Sequence, residues 1–127
     1  MSFLKNVFKS NNNLKEEATT KVQWKPITSI AELDALSEAS QSETVLIFKH
    51  STRCGISKMV LRQFEKALNV ADEKVTVYYL DLLNYRELSN EIAAKFQVFH
   101  QSPQLLVLKN GVVVGHASHY SILELNY

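Results

Sequence analysis

The most constraining stretch of this chain is residues 44–68, where a strand-like run passes directly into a helix-like one. Thr44-Val45-Leu46-Ile47-Phe48-Lys49 is dense in β-branched and large apolar residues, the pattern of a buried strand. Ile56, Met59, Val60, Phe64, Ala67 and Leu68 then recur at three- and four-residue spacing. That spacing defines one buried helical face, with Lys58, Arg62, Gln63, Glu65 and Lys66 on the other. A strand feeding an amphipathic helix is half of a βαβ unit, and the rest of the chain continues the alternation.

Upstream, Val22 to Ile27 reads as a first strand with Pro26 near its end. Ser29-Ile30-Ala31-Glu32 has the Ser-x-x-Glu form of a capping box, in which two side chains satisfy orphan N–H groups, and it predicts a helix over 29–40. Downstream, Lys74 to Leu80 reads as a strand. Asn84-Tyr85-Arg86-Glu87 offers a second capping pattern, and Leu88, Ile92, Ala93 and Phe96 form the inward face of the helix that follows. Ser102-Pro103 introduces the apolar run Gln104–Lys109. Asn110-Gly111 then predicts a hairpin, because a type I′ turn needs positive φ at both central positions. Val112-Val113-Val114 returns antiparallel. Both strands are apolar on consecutive residues, which implies a sheet covered on both faces. Ser118–Tyr127 is at most a short terminal helix. The order βαβαβαββα is that of an α/β fold: a three-layer α/β/α sandwich with a mixed four- to five-stranded sheet.

A chain of 127 residues is one ordinary domain, and 46% hydrophobic with 21% charged residues is an average globular composition. Fourteen basic against 13 acidic residues favour neither nucleic acid nor an acidic membrane surface. Nothing approaches the length of a membrane span or a signal peptide, so a cytoplasmic protein is expected, with neither membrane nor nucleic acid as partner. Residues 1–21 read as a flexible or weakly helical N-terminal segment, Phe3, Leu4, Val7 and Phe8 sharing one helical face, and 22–127 as the folded domain. No metal site is expected, since His50, His100, His116 and His119 are scattered and no Cys/His cluster has zinc spacing.

A single cysteine excludes a disulfide-stapled fold and fits a reducing compartment. Cys54 stands in Ser51-Thr52-Arg53-Cys54-Gly55-Ile56-Ser57, at the mouth of the periodic helix, where the backbone dipole and unpaired N–H groups favour a thiolate. A helix N-terminus contributes about 0.3–1 kcal/mol, less than one pKa unit. Further help is therefore expected from the charges of Arg53 and Lys58 and from a Ser57 hydrogen bond to the sulfur. Gly55 leaves close access. Ser57 stands where a C-x-x-C pair would place its second cysteine, so the site can attack a disulfide but cannot close an internal one. Lys49 and Arg53 are candidates to receive carboxylates of a small thiol. His50 is a candidate either for proton transfer or as a partly exposed structural residue.

A helix-capping cysteine after a strand, a βα unit, a proline before a strand and a Lys-Asn-Gly hairpin together resemble the thioredoxin fold over roughly residues 22–127. Within it, Thr52-Arg53-Cys54-Gly55-Ile56-Ser57 most resembles the YtxJ-like bacillithiol-system redox-active proteins, or monothiol bacilliredoxins. That resemblance implies a redox-active Cys54 that removes bacillithiol from mixed disulfides on S-thiolated client proteins, with the low-molecular-weight thiol as co-substrate and no resident cofactor. It also implies that Ser102-Pro103 is the superfamily's cis-proline, shaping the substrate groove. Thr52, Arg53, Gly55, Ser57, Ser102 and Pro103 are accordingly expected to support Cys54. The chain departs from thioredoxins at Arg53, where a tryptophan is usual, and at Phe48, where they carry a buried aspartate. Cys-Gly-Ile-Ser is also similar to the Cys-Gly-Phe-Ser of monothiol glutaredoxins, some of which hold iron–sulfur clusters. A cluster carrier and a redox-inert binding module therefore stand as alternatives.

Overall fold

The computed structural model describes residues 22–68 and 74–127. The N-terminal segment 1–21 lies outside them. The elements, in chain order, are β1 (Lys25–Pro26), α1 (Ile30–Ala39), β2 (Thr44–His50), α2 (Gly55–Ala67), β3 (Val75–Asp81), α3 (Arg86–Phe96), β4 (Gln104–Lys109) and β5 (Val112–Ser118). A 3₁₀ helix, His119–Glu124, follows in place of a terminal α-helix. The five strands form one mixed sheet in the order β1-β3-β2-β4-β5. β1 and β2 run parallel to β3, β4 runs antiparallel to β2, and β5 antiparallel to β4.

Alternation along β2 divides the core in two, because successive side chains leave a strand on opposite faces. Val45 and Ile47 join Leu33, Leu36, Leu88, Ile92, Leu106 and Leu108 beneath α1 and α3. Leu46 and Phe48 join Val60, Phe64, Leu105, Val107 and Ile122 beneath α2 and the 3₁₀ helix. Trp24 closes the second cluster, its ring stacked edge-on to Phe48 and its Nε1 donating to Glu65 Oε2 at 2.7 Å. Helices on both faces make the α/β/α sandwich that the element order implies.

The capping box is present: Ser29 Oγ accepts from Glu32 N, and Glu32 Oε1 accepts from Ser29 N. At the hairpin, Asn110 and Gly111 take φ of 55° and 80°. The turn rests on the C-cap of α1, with Asn110 N donating to Ser40 O and Gly111 N to Ser40 Oγ, each at 2.7 Å.

Four local expectations are corrected. β1 is only two residues long; as an edge strand it tolerates Pro26, which cannot donate to a ladder. Asn84 does not cap α3: the N-cap is Tyr85 without a side-chain bond, and Asn84 Nδ2 donates instead to Asp81 Oδ2 at 2.7 Å. β5 is not covered on both faces, since Val112 and Val114 on the outermost strand are 57% and 56% exposed. In α2 the inward stripe is Ser57, Val60 and Phe64, while Ile56, Met59 and Ala67 are exposed. The first turn of α2 is thereby turned so that its serine, not its isoleucine, faces the sheet.

Candidate active site

β2 ends at His50, and Ser51–Arg53 carry the chain to Cys54, which is the N-cap of α2 in extended conformation. Its carbonyl accepts the first helical bond from Lys58 N at 3.1 Å, and its own N–H donates to Ser51 O at 3.2 Å. The thiol makes no capping bond, is partly exposed and has no second cysteine to meet. Thr52, Arg53 and Gly55 flank it in solvent. Among the described residues the exposed Arg53 guanidinium has no hydrogen bond or ion pair.

Ser57 is placed differently from expectation. It is fully buried, and its Oγ lies 2.7 Å from His50 Nδ1 and accepts from Ser51 N at 3.1 Å. The partners are the last residue of β2 and the first residue after it, so the hydroxyl ties the first turn of α2 to the end of the strand and makes no bond to sulfur. His50 is likewise buried rather than partly exposed. Burial lowers its pKa and so does Lys58, against an opposing pull from Asp81 across the ladder. The net effect favours the neutral ring. The strand's period-two alternation carries this information: His50 falls in step with Leu46 and Phe48, toward α2.

Lys49, one residue earlier, points to the opposite face and is fully buried, which removes it as a receiver of carboxylates from solvent. Its Nζ donates to Ser89 O at 3.2 Å and lies 3.4 Å from His100 Nδ1, which in turn lies 3.1 Å from Ser89 Oγ. Burial without a carboxylate partner lowers the Lys49 pKa to about 8. The His100 pKa is also lowered, chiefly by burial and further by Lys49 and Arg86. This cluster fastens α3 and the connection leading to Pro103 onto the central strand. Nothing in the spacing of Lys49, Ser89 and His100 announces it.

The Ser102-Pro103 peptide is cis, and Pro103 O accepts from His119 N at 3.0 Å. β2 and β4 pair with Lys49 opposite Gln104, so the loop leaving β2 toward Cys54 and the turn delivering Pro103 to β4 emerge side by side from one end of the sheet. The same end holds three buried polar atoms without a partner among the described residues: Asp81 Oδ1, Ser102 Oγ and Gln104 Oε1. Native interiors seldom leave such atoms unpaired. No group of three or more His, Cys, Asp or Glu among the described residues could hold a metal ion. Nor is any described helix long and apolar enough to cross a membrane.

A mixed sheet with its thiol at a helix mouth and a cis-proline on the neighbouring strand defines a thioredoxin-fold protein with a single-cysteine redox motif. Solved structures agree. A putative oxidoreductase with a thioredoxin fold is 33% identical, with a TM-score of 0.68 over 79% of this chain and 87% of that one. Thioredoxins of Malassezia sympodialis (22% identity, TM-score 0.65, covering 83% and 88%) and Trypanosoma brucei brucei (20%, 0.61, covering 78% and 80%) share the fold. Residues 25–126 match the family of the monothiol bacilliredoxin BrxC, and the chain belongs to that family. Family and fold together assign it a thiol-oxidoreductase role within a low-molecular-weight thiol system.

Proposed function

We propose that this protein is a monothiol thiol–disulfide oxidoreductase that removes a small thiol, bacillithiol, from mixed disulfides on client proteins through Cys54. The observation that carries the reading is the lone, partly exposed thiol at the N-cap of α2, with the hydroxyl of Ser57 at the resolving position and tied to His50. The Cys54 thiolate attacks the small-thiol sulfur of the mixed disulfide. A new S–S bond forms between Cys54 and that sulfur, the old S–S bond breaks, and the client leaves as a thiolate that takes a proton from water. A second molecule of the small thiol, as thiolate, then attacks the adduct. The products are the oxidised small-thiol dimer and free Cys54, so one disulfide is exchanged for another and the client sulfur is reduced at the expense of the incoming small thiol alone.

Thr52, Arg53 and Gly55 form the solvent-facing rim, with Arg53 suited to the paired carboxylates of bacillithiol's malate moiety. Ser102 offers its main chain beside Pro103 to an extended client, a contact indifferent to client sequence. Intact mass spectrometry after incubation with the oxidised bacillithiol dimer tests this. The expected outcome is a single bacillithiol adduct on Cys54, absent from Cys54→Ser, which folds normally and performs no exchange. Exchange surviving in that variant, or no adduct on the wild type, overturns the reading.

A further inference from the structure

A cavity of about 490 Å³ opens on the far side of the Ser102-Pro103 turn, between the connection leaving α3 and the end of β5. Gln97, Phe99, Gln101 and Gln104 form one part of its wall, and His116 and Ser118 another. Gln104 is 1% exposed and its Nε2 donates to Phe99 O at 2.9 Å, but its buried Oε1 has no partner. An orphaned amide oxygen of this kind is destabilising for as long as it stays unpaired. That acceptor lies behind the cavity wall and is sealed from solvent. The wall contains no Lys, Arg, Asp or Glu, and His116 is its one titratable side chain. Phe99, at the rim, is 91% exposed, an apolar ring with nothing over it. Three consecutive residues of β5, His116–Ser118, line the cavity, and β5 is the outermost strand, so among the described residues its outer main-chain groups have no strand partner.

An unpaired strand edge, walls without Lys, Arg, Asp or Glu, and an uncovered aromatic ring describe complementarity to polypeptide rather than to an ion or a charged metabolite. We propose that this cavity is a second docking site for the client, binding an uncharged, extended segment of its chain at a distance from the thiolated cysteine. The main chain of that segment pairs with the open edge of β5, and an apolar side chain covers Phe99. The inference rests on the reading of Cys54 as the exchange centre but occupies the opposite face of the sheet. It makes Phe99 and the edge of β5 determinants of client choice, where Arg53 serves the small thiol.

The test uses the full chain as Cys54→Ser, labelled with ¹⁵N, and two cysteine-free dodecapeptides, one rich in Asn, Ser and Leu and one with glutamates replacing Asn and Ser. The neutral peptide is expected to shift the amides of His116–Ser118, the acidic one to leave them in place, and Phe99→Ala to weaken binding about five-fold or more. No shifts at millimolar peptide, or equal shifts from both peptides, overturn the proposal. A kinetic arm separates the two readings. With a bacillithiolated neutral peptide, Phe99→Ala lowers kcat/KM about three- to ten-fold, about 0.7–1.4 kcal/mol, while reaction with the small symmetrical disulfide is unchanged. An equal fall in both, or in neither, overturns the cavity's role. A wild-type protein that reacts with neither substrate overturns the exchange reading, and the peptide shifts still decide the cavity.

Discussion

A lysine with no exposed surface and no carboxylate beside it works against the fold whenever it carries its charge. Lys49 has a pKa lowered to about 8 against 10.5 in an unfolded chain, so between those values the unfolded state binds more protons than the folded one. Stability linked to Lys49 is therefore complete above pH 10.5 and is lost as pH falls toward 8, an effect of about 2–3 kcal/mol at most. Tyr78, Tyr79 and Tyr127 have raised pKa values and oppose this trend at higher pH, which confines the useful window to roughly pH 8–9.5. Wild type is expected to gain urea resistance across that window and Lys49→Met to show a flat profile; parallel profiles would remove Lys49 as the cause. His50 behaves alike at lower pH: its lowered pKa makes the fold lose stability as pH falls through the ordinary histidine range. The place of Cys54 between β2 and α2 was legible in the sequence motif, because the strand run and the helical stripe meet there. The direction of Ser57 toward His50, and the burial of Lys49, depend on which way the first turn of α2 and the end of β2 face. Spacing within one segment does not report that.

At the scale of elements, short-range chemistry was legible where it is self-contained. The Ser29–Glu32 box and the Asn110-Gly111 turn need only their own residues, and both form as read. Gly111 is held at φ 80° with Gln41 Nε2 only 3.1 Å from where a Cβ would stand. Gly111→Ala is expected to cost about 1–2 kcal/mol, measured as a lower midpoint in urea without a change in exchange activity, because the hairpin lies at the end of the sheet remote from Cys54. An unchanged midpoint would mean that the turn relaxes into another type. The exposed Ile56 and Met59 were misread because helical periodicity finds a stripe but not the point where a helix overhangs its sheet. The same limit explains β5, whose valines read as buried although no helix reaches the last strand.

For the molecule as a whole, the strand order brings the ends of β2 and β3 and the start of β4 to one edge. Every unpaired buried polar atom among the described residues collects there. Cooperative stability comes from the other end and the middle, where the two apolar clusters run uninterrupted. This division leaves the reactive end free to bind in succession two partners of different kinds, and ping-pong kinetics are the expected signature. Initial rates at several fixed client concentrations should give parallel reciprocal plots against small-thiol concentration. Converging lines would indicate that both partners are held at once.

Ser57 has a consequence beyond the single turnover. If Cys54 exchanges as proposed, oxygen in place of sulfur one turn into α2 would leave the protein unable to discharge itself, and each chain that had served a client would wait, capped, for a free thiol from solution. The fraction of capped chains is then set by the ratio of reduced to oxidised small thiol around them, which makes the population a running gauge of its surroundings.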